Sequence, residues 1–517
     1  MLDLKPRDYQ LSIFETAKNN NTLVVLPTGL GKTLIALMLS IDRKKLHPLS
    51  KILFLAPTRP LVEQHFSTFK SQLPELFTDL QLFTGSVPAE KRKKIFETAE
   101  IIFSTPQCIA NDLENYLYDL NDFSLLIIDE AHRCLKNYDY TKVVSHYKKK
   151  STNQLILGLT ASPSHDSEKV KEICAHLDIK EIEIRTRDSP DVKLYLKERE
   201  YEKIDVPFPK EFQELRVLLK RIFDSRIDQL KSRKILFGPA NKITILKLQH
   251  RLGLQVSQRN WQAMHGLSLC AQAIKISHAL ELLETQTLSS LNEYFNKMIK
   301  DANKQKSKAV QTLVKLPEFN AARISLASLL AEKFEHPKIK KVKEIVQQEF
   351  KSNPDSKIII FAHFRETGSL ISNTINQIQG IKASVFLGQA KKINQSGTFT
   401  SGLNQKEQKA IIEKFRNNEI NVLIATSIGE EGLDIPEVSA VIFYEPIPSA
   451  IRKIQRAGRT ARLSPGKLII LVTEDTRDAI HHYASSAREK KMYKTIEIVK
   501  QELKAKNRNP TLDKFKT

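Results

Sequence analysis

One stretch near the start of the chain limits the possible folds more than any other. Residues 23–26 are apolar and partly β-branched, and residues 34–39 are good helix formers. The turn between them reads Pro27, Thr28, Gly29, Leu30, Gly31, Lys32 and Thr33. A strand, a glycine-rich turn and a helix in this order predict a phosphate-binding loop, because glycines let successive backbone N–H groups and the helix N-terminus face an anion.

The last two residues of this turn suit particular roles. The Lys32 ammonium can reach the β- and γ-phosphates of a nucleotide, and the Thr33 hydroxyl can hold Mg²⁺. Leu26 stands where the first glycine of the usual pattern would be. The alternative is an ordinary strand-to-helix turn with a surface lysine. A second motif about a hundred residues later favours nucleotide binding.

The net charge predicts the kind of partner. The chain has 517 residues, so its length favours about three domains. Its formal charge of +22 and pI of about 9.5 indicate a polyanionic partner, with nucleic acid as the first candidate. Ribosomal and membrane-surface proteins can be equally basic, but neither class explains a nucleotide-binding loop.

Several other classes are disfavoured. The N-terminus lacks the apolar stretch of a signal peptide, and no run approaches the roughly 18 apolar residues of a membrane span. We therefore expect no membrane partner and a cytoplasmic, chromosome-associated protein. The four cysteines form no C-x-x-C pair, which disfavours a disulfide framework or zinc site and predicts free buried thiols.

The first 185 or so residues alternate strand-like and helix-like segments, which is typical of a parallel sheet covered by helices. The predicted strands are 23–26, 52–56, 81–84, 101–104, 125–129 and 155–159. Each ends in polar residues. Since ligands collect at the carboxyl ends of the strands in such sheets, we expect these endings to form one functional edge.

The fifth predicted strand runs into Asp129 and Glu130, followed by Ala131 and His132. Two acids in this position can divide the work of phosphoryl transfer. Asp129 can bind the magnesium that bridges the phosphates, and Glu130 can orient or deprotonate the attacking water. Acids also follow strands for solvation or helix capping, but the Gly-Lys-Thr turn at this separation favours catalysis.

A second alternating region begins near Pro337, with predicted strands at 357–361, 421–425 and 441–444. Farther along, Arg459 and Arg462 are three residues apart. On a helix, both guanidiniums would therefore project from one face. Two arginines at this spacing can also simply solvate a surface helix.

Between about 205 and 335 the strand signal gives way to long amphipathic helices. Apolar residues recur there at a three-four spacing: Phe212, Leu215, Leu218, Leu219, Ile222, Phe223, Ile227 and Leu230. Residues 210–335 hold 21 Lys and Arg against 11 Asp and Glu. This charge can be a solvated face, but in a protein with a polyanionic partner it predicts phosphate contacts, with Lys231, Arg233 and Lys234 as candidates.

Three segments resemble motifs I, II and III of superfamily 2 helicases: residues 29–33, 129–132 and 159–163. The resemblance implies an α/β fold of two RecA-like parallel-sheet lobes, here with an inserted all-helical, thumb-like domain. It also implies ATP and Mg²⁺ as cofactors. Further roles follow from the likeness alone. The upstream residues Arg7 and Gln10 would recognise adenine, whereas the coupling of the ATP site to nucleic acid would involve His132, Thr160 and Ser162.

The second region continues the likeness. Residues 362–365, 426–436 and 455–462 resemble motifs IV, V and VI. By this resemblance, catalysis would involve Gln455, Arg459 and Arg462, the two arginines acting as arginine fingers on the γ-phosphate, and Asp434 would contact ATP. Positions where the family contacts a nucleic-acid backbone are Thr58, Arg59, Thr84, Gly85, Thr105, Pro106, His363, Arg365 and Thr426. Small hydroxylated residues, glycine and arginine suit that role because they offer donors to phosphates without reading bases.

The arrangement as a whole is similar to the Hef and Fanconi anaemia M group of these helicases. The less generic stretches are 386–390, 403–408 and 443–452. The likeness implies a motor on branched DNA such as stalled forks and four-way junctions. In many Hef proteins an XPF-type nuclease region follows the helicase part, whereas this sequence stops at Thr517. Nuclease activity is therefore not predicted, and any cutting is expected to need a separate nuclease partner. Two alternatives stay open: an ATPase stimulated by double-stranded RNA, of the Dicer and RIG-I type, and an inactive scaffold that clamps junctions.

The predicted domain boundaries are 1–204 for the first lobe, 205–335 for the helical insert, 336–485 for the second lobe and 486–517 for a basic C-terminal tail. Residues 509–517 are faintly similar to a sliding-clamp-binding peptide. Asn509 replaces the usual glutamine and Lys516 replaces an aromatic residue, so a frayed tail is the competing interpretation.

Overall fold

The computed structural model describes residues 5–73, 79–196, 198–258, 260, 263–388, 392–393, 399–400, 402–426, 435–460 and 465–508. Two sheets of parallel strands carry helices on their faces, and a helical segment lies between them in the sequence. This confirms the predicted α/β fold of two lobes with a helical insert.

The first sheet has seven strands in the order β3-β4-β2-β5-β6-β1-β7. They are β1 (Thr22–Val25), β2 (Lys51–Leu55), β3 (Leu80–Phe83), β4 (Ile101–Ser104), β5 (Phe123–Asp129), β6 (Ile156–Thr160) and β7 (Glu181–Ile184). The helices around it are α1 (Asp8–Ala17), α2 (Lys32–Leu46), α3 (Arg59–Gln72), α4 (Ala89–Thr98), α5 (Pro106–Glu114), α6 (Asp139–Lys150), α7 (Ser167–His176) and α8 (Pro190–Lys193).

Six of these strands lie within two residues of the prediction. Five of them are buried along their whole length and are read from continuous apolar runs, whereas β3 is a partly buried edge strand. The seventh, β7, was not predicted. Its sequence Glu-Ile-Glu-Ile is short and only partly buried at the edge of the sheet. An edge strand with one solvated face gives a weak apolar signal, which is why the sequence did not indicate it.

The helical insert comprises α9 (Gln213–Ser232), α10 (Lys242–Ser257), α11 (Ala263–Thr285), α12 (Leu288–Asn303), α13 (Lys308–Val314) and α14 (Pro317–Ala331). The predicted stripe on α9 is largely confirmed. Its buried members are Leu215, Leu219, Ile222, Ile227 and Leu230. They divide between two apolar clusters, one with α11 to α14 and one with α10 and the start of α11.

The second sheet has six strands in the order β10-β13-β9-β14-β15-β8. They are β8 (Arg199–Val206), β9 (Ile358–Phe361), β10 (Ala383–Phe386), β13 (Val422–Ala425), β14 (Ala440–Phe443) and β15 (Gly466–Thr473). A separate antiparallel pair consists of β11 (Lys392–Ile393) and β12 (Phe399–Thr400). The remaining helices are α15 (Pro337–Ser352), α16 (Arg365–Ile375), α17 (Gln405–Arg416), α18 (Ala450–Ala457) and α19 (Arg477–Arg508).

The chain enters the second sheet before it forms the insert. Strand β8 pairs in parallel with β15 along all eight of its residues, from Arg199 opposite Gly466 to Val206 opposite Thr473. The boundary that we placed between residues 204 and 205 therefore falls inside this strand. Pairing with a strand more than 260 residues away gives no local signal that could have marked the crossing.

The insert is attached to the second lobe by polar contacts around Glu284 of α11. Its carboxylate lies 3.2 Å from Arg216 of α9 and 3.7 Å from Arg477 of α19. Close by, the Thr367 hydroxyl of α16 donates a hydrogen bond of 2.9 Å to Gln286. These contacts join α9, α11, α16 and α19 into one packed unit.

Helix α19 spans both lobes. At its start, Asp478 pairs with Lys338 of α15, and both side chains are buried. Farther along, Met492, Ile496 and Val499 are buried in the apolar core of the first lobe. The region predicted as a basic tail is thus helical as far as Arg508, with Leu503 the last side chain packed against the core of the first lobe. The clamp-like peptide at 509–517 lies outside the described residues.

All four cysteines are buried and free, as predicted. In the part of the chain that the structure describes, no helix is long and apolar enough to cross a membrane.

Candidate functional site

The glycine-rich turn lies between β1 and α2, as its sequence predicts. Gly29 and Gly31 have φ values of 83° and 74°, in the left-handed region that favours glycine. A Cβ on Gly31 would lie 2.3 Å from the side-chain nitrogen of Gln10, so any other residue here would displace the Gln10 amide. Lys32 begins α2, and its ammonium donates a 2.9 Å hydrogen bond to the carbonyl of Leu26. The turn thus has the backbone freedom and the cation that an anion-binding loop requires.

Helix α1 packs the upstream element against this turn. Tyr9 and Gln10 both donate to the carbonyl of Leu30, at 2.9 and 3.2 Å. The backbone N–H of Arg7 donates to the Gln10 side chain, and the Arg7 guanidinium lies 5.1 Å from the ring centre of Tyr195. The predicted adenine-recognition residues therefore adjoin the turn, and Tyr195 is a neighbour that the sequence did not suggest.

The first acid at the end of β5 is linked to the start of α2 through a histidine. His65 Nε2 lies 2.9 Å from Asp129 Oδ2, and His65 Nδ1 lies 3.4 Å from the Thr33 hydroxyl. Burial opposes ionisation of Asp129, but the hydrogen bond from His65 and the charge of Lys32 lower its pKa overall. Asp129 is thus held as a carboxylate beside the glycine-rich turn.

The second acid has an unusual backbone. Glu130 adopts φ 52° and ψ 46°, the left-handed conformation that costs free energy in a residue with a Cβ. Its carboxylate lies 3.1 Å from His132 Nδ1, which is also 3.2 Å from the Thr160 hydroxyl at the end of β6. Thr160 in turn accepts a 3.2 Å hydrogen bond from the backbone N–H of Ser162. The predicted coupling residues are therefore adjacent to Glu130.

The donor atoms fit a magnesium ion. The Thr33 hydroxyl and the Asp129 carboxylate are hard oxygen donors, and both are within hydrogen-bond distance of one imidazole. Among the described residues no group of three or more His, Cys, Asp and Glu could hold a metal. In nucleotide sites Mg²⁺ is typically bound by one or two protein ligands together with substrate phosphates.

The second lobe reaches the glycine-rich turn through the end of α18. A Cβ built on Gly458 would lie only 1.6 Å from the Thr28 hydroxyl, so the two backbones approach closely there. Gln455 is buried on the same helix, and Arg459 follows directly after Gly458. A cavity of about 150 Å³ beside this contact is lined by both lobes, including Pro27, Thr28, Lys453 and Gly458. Arg462 and Asp434 lie outside the described residues.

The residues predicted to contact nucleic acid in the lobes lie at the carboxyl ends of strands. They follow β2, β3 and β4 in the first sheet and β9 and β13 in the second: Thr58, Arg59, Thr84, Gly85, Thr105, Pro106, His363, Arg365 and Thr426. Thr58 and Thr105 are the N-cap residues of α3 and α5, and helix N-termini are places where phosphates bind in many proteins. Thr84 and Thr426 are buried, whereas a Cβ on Gly85 would meet open space. Lys231, Arg233 and Lys234 lie apart, at the end of α9 in the insert.

One ion pair joins the two lobes near these residues. Glu63 of α3 lies 2.7 Å from Arg59 and 2.7 Å from Lys409 of α17. The sequence gave no reason to pair Glu63 with a lysine 346 residues away. Glu63 thus pairs with one cation from each lobe.

His65 is the residue of this candidate site that sequence reasoning missed. Val62, His65 and Phe69 share the buried face of α3. A histidine among apolar residues at helical spacing was the available signal, but alone it is typical of an ordinary core residue. Its partners come from two other segments, so only the folded chain reveals the bridge.

Three family models match successive parts of the chain. Residues 3–165 match the res subunit of type III restriction enzymes, and residues 337–464 match the helicase conserved C-terminal domain. Residues 211–336, which cover the insert, match a helical bundle named for ATP-dependent RNA helicases.

The chain is also similar to known helicases along most of its length. The crystal structure of the Pyrococcus furiosus Hef helicase domain is 40% identical, with a TM-score of 0.70, and the match covers 93% of this chain and 98% of that one. The Fanconi anemia group M protein homolog of Mus musculus is 32% identical over 98% of this chain. The ATP-dependent DNA helicase mph1 of Neurospora crassa is 31% identical over 90% of it. This chain spans 26% and 41% of the lengths of those two relatives.

Proposed function

Because the chain belongs to the Hef family of superfamily 2 helicases, we propose that it is an ATP-dependent motor that translocates on branched DNA, including stalled forks and four-way junctions. The observation that supports this most is the close approach of Gly458 to Thr28. It puts the end of α18 in the second lobe against the glycine-rich turn of the first, so one nucleotide can contact both. A motor needs such shared binding, because the nucleotide must control the distance between lobes.

In the proposed ATP site, Arg7 and Gln10 recognise the adenine. The backbone of residues 27–31 and the ammonium of Lys32 bind the phosphates. Thr33 and Asp129 would hold Mg²⁺, which when bound neutralises charge on the β- and γ-phosphates. Asp434 of the second lobe would contact the same nucleotide.

In the proposed chemical step, Glu130 orients the attacking water and takes its proton. The contact with His132 supports this role, because it holds the Glu130 carboxylate in place. The left-handed backbone of Glu130, directly after β5, is a strained conformation of the kind found at functional sites. Gln455, Arg459 and Arg462 stabilise charge that develops on the γ-phosphate. Arginines in that role are worth about 10³ to 10⁵ in rate in related phosphoryl transfers.

Hydrolysis is proposed to reach the DNA through the lobes. Closing of the two lobes shortens the distance between the strand-end residues of one lobe and those of the other, and reopening moves the protein along one strand. His132, Thr160 and Ser162 would transmit the state of the ATP site. Lys231, Arg233 and Lys234 of the insert would hold the branched DNA by its phosphates. We accordingly propose that the protein acts at the chromosome.

The test compares the ATPase of wild-type protein and Lys32→Ala with fork DNA, a four-way junction and linear duplex. Wild type should hydrolyse ATP faster with branched DNA and should dissociate it. The variant should lose turnover yet bind DNA within a few-fold of wild type. Full hydrolysis by Lys32→Ala would refute the nucleotide site, and a wild-type protein that binds junctions without any ATPase would support the scaffold alternative.

A second candidate function is an ATPase stimulated by double-stranded RNA. The observation in its favour is the match of residues 211–336 to a bundle named for RNA helicases. The same ATPase assay with double-stranded RNA of equal length separates the two. A larger stimulation by RNA than by fork DNA would replace the DNA proposal.

A further inference from the structure

His65 lies between the two side chains proposed to hold magnesium. Its Nε2 is 2.9 Å from Asp129 Oδ2 and its Nδ1 is 3.4 Å from the Thr33 hydroxyl. The ring is buried, and its centre lies 4.5 Å from that of Phe54 on β2. One imidazole thus contacts both proposed ligands and has little freedom to move.

The chemistry of the partners decides how the protons are arranged. A carboxylate only accepts hydrogen bonds, so His65 Nε2 donates its hydrogen to Asp129. In the neutral ring, Nδ1 then carries a lone pair and accepts the hydrogen of the Thr33 hydroxyl. This directs the hydroxyl hydrogen toward His65 and leaves the lone pairs of the Thr33 oxygen for a cation.

We propose that His65 is a positioning residue for the magnesium site and that its imidazole orients both Thr33 and Asp129. The inference rests on the proposed function, since it takes nucleotide and Mg²⁺ to bind here. The two donors belong to α2 and β5, two separate segments of the first lobe. A side chain from a third element, α3, fixes their relative orientation before the nucleotide arrives. Groups that orient metal ligands in this way typically change metal affinity about 10- to 100-fold when they are removed.

A purely structural role is the competing explanation. Val62 and Phe69 on the same face of α3 are apolar and fully buried, so packing alone would be met by another apolar side chain. An imidazole at that site has to be desolvated, a cost that hydrogen bonds to both of its nitrogens offset. If His65 positions the metal ligands, removal of those hydrogen bonds weakens metal binding. If its role is only structural, the removal lowers stability and leaves metal binding unchanged.

Three substitutions separate them. His65→Phe keeps a flat ring against Phe54 and removes both hydrogen bonds. His65→Gln places an amide near the Nε2 position and keeps the contact with Asp129, whereas His65→Asn places one near Nδ1 and keeps the contact with Thr33. His146→Phe on α6 is the matched control, a partly buried histidine of the same lobe.

The primary readout is metal binding, not turnover. Mn²⁺ binding in the presence of ADP is followed by electron paramagnetic resonance, and affinity for a fluorescent ADP is measured in EDTA. His65→Phe should weaken Mn²⁺ binding 10- to 100-fold and raise the Mg²⁺ concentration for half-maximal ATPase by a similar factor. Its affinity for metal-free nucleotide should stay within about twofold of wild type. His65→Gln and His65→Asn should each recover part of the loss, and His146→Phe should resemble wild type.

Two results would overturn the inference. One is a His65→Phe protein that binds Mn²⁺ as tightly as wild type. The other is a protein whose thermal midpoint falls while its Mg²⁺ dependence does not move, which would make His65 structural. If His65→Phe does not fold, His65→Gln and His65→Asn decide the question, and unchanged metal affinity in both would refute the proposal. A wild-type protein that binds no Mn²⁺ with ADP would instead refute the proposed function on which the inference rests.

Discussion

Gly458→Ala is expected to slow ATP turnover without unfolding either lobe. The added methyl group would lie 1.6 Å from the Thr28 hydroxyl and 2.9 Å from Thr28 Cβ. Rotation of the Thr28 side chain can move the hydroxyl but not Cβ. The methyl group also cannot retreat into α18, because the carbonyl of Ile454 is already 3.3 Å away. The end of α18 and the glycine-rich turn must therefore separate.

The size of the separation sets the expected effect. Ordinary van der Waals contact begins near 3.4 Å. The added methyl group must therefore move about 0.5 Å away from Thr28 Cβ, and about 1.8 Å away from the Thr28 hydroxyl if that side chain does not rotate. A misplacement of about 1 Å between reacting groups costs on the order of 10²-fold in rate. We expect kcat to fall about 10- to 10²-fold, equivalent to about 1.4 to 2.7 kcal/mol of activation free energy.

The assay is steady-state ATP hydrolysis at saturating fork DNA, with thermal unfolding measured in parallel. Gly253→Ala is the matched control, because nothing lies within 4 Å of a Cβ at that position on α10. Thr28→Gly removes the atoms that the methyl group meets, so the Thr28→Gly, Gly458→Ala double variant should be less impaired than the product of the single effects predicts. A Gly458→Ala protein with kcat within twofold of wild type, or two effects that simply multiply, would refute the claim that the lobes meet at this point.

Three further outcomes are expected. Lys338→Met should lower the free energy of unfolding by about 3 to 5 kcal/mol in urea titrations, because it leaves the Asp478 carboxylate buried without its cation; a loss below 1 kcal/mol would contradict this. Burial raises the pKa of Glu445 to about 7, so the native chain holds the proton of this carboxyl more tightly than the unfolded chain does. The protonated carboxyl therefore contributes stability that is fully present below pH 4.5 and is lost as the pH rises through about 7. Glu445→Gln should remove that part of the pH dependence of the unfolding free energy between pH 5 and 8. An unchanged slope of this free energy against pH would contradict the raised pKa of Glu445. Reversing the charges of Lys231, Arg233 and Lys234 to Glu should weaken DNA binding and reduce the salt-dependence slope by at least about 0.9 per lost phosphate contact; an unchanged slope would show that these residues do not contact DNA.

Much of the fold could be predicted because its signals are local. A buried parallel strand is a short apolar run, an amphipathic helix repeats every three or four residues, and a phosphate-binding loop needs glycines at fixed positions. Residues 22–33 carry the strand and the loop signals within a dozen positions and lead directly into α2, and the structure confirms the strand, the two left-handed glycines and the helix. The insert was recognised for the same reason.

The candidate site was only partly predictable. The motifs identified candidate site residues, but no motif showed which of their side chains contact one another. The bridge of His65 between Thr33 and Asp129, and the strain at Glu130, depend on segments brought together by the sheet. The exposed edge strand β7 gave too weak an apolar signal.

The sequence by itself determined most of the element types, the glycine-rich turn and the helical nature of the insert, because each depends on neighbours a few positions apart. Only the tertiary structure decided that β8 belongs to the second sheet, that α19 crosses back to bury Ile496 in the first lobe, and that Gly458 meets Thr28. These contacts join residues hundreds of positions apart. Their free energy comes from burial and close packing between surfaces that exist only after each lobe has folded, so no local pattern encodes them.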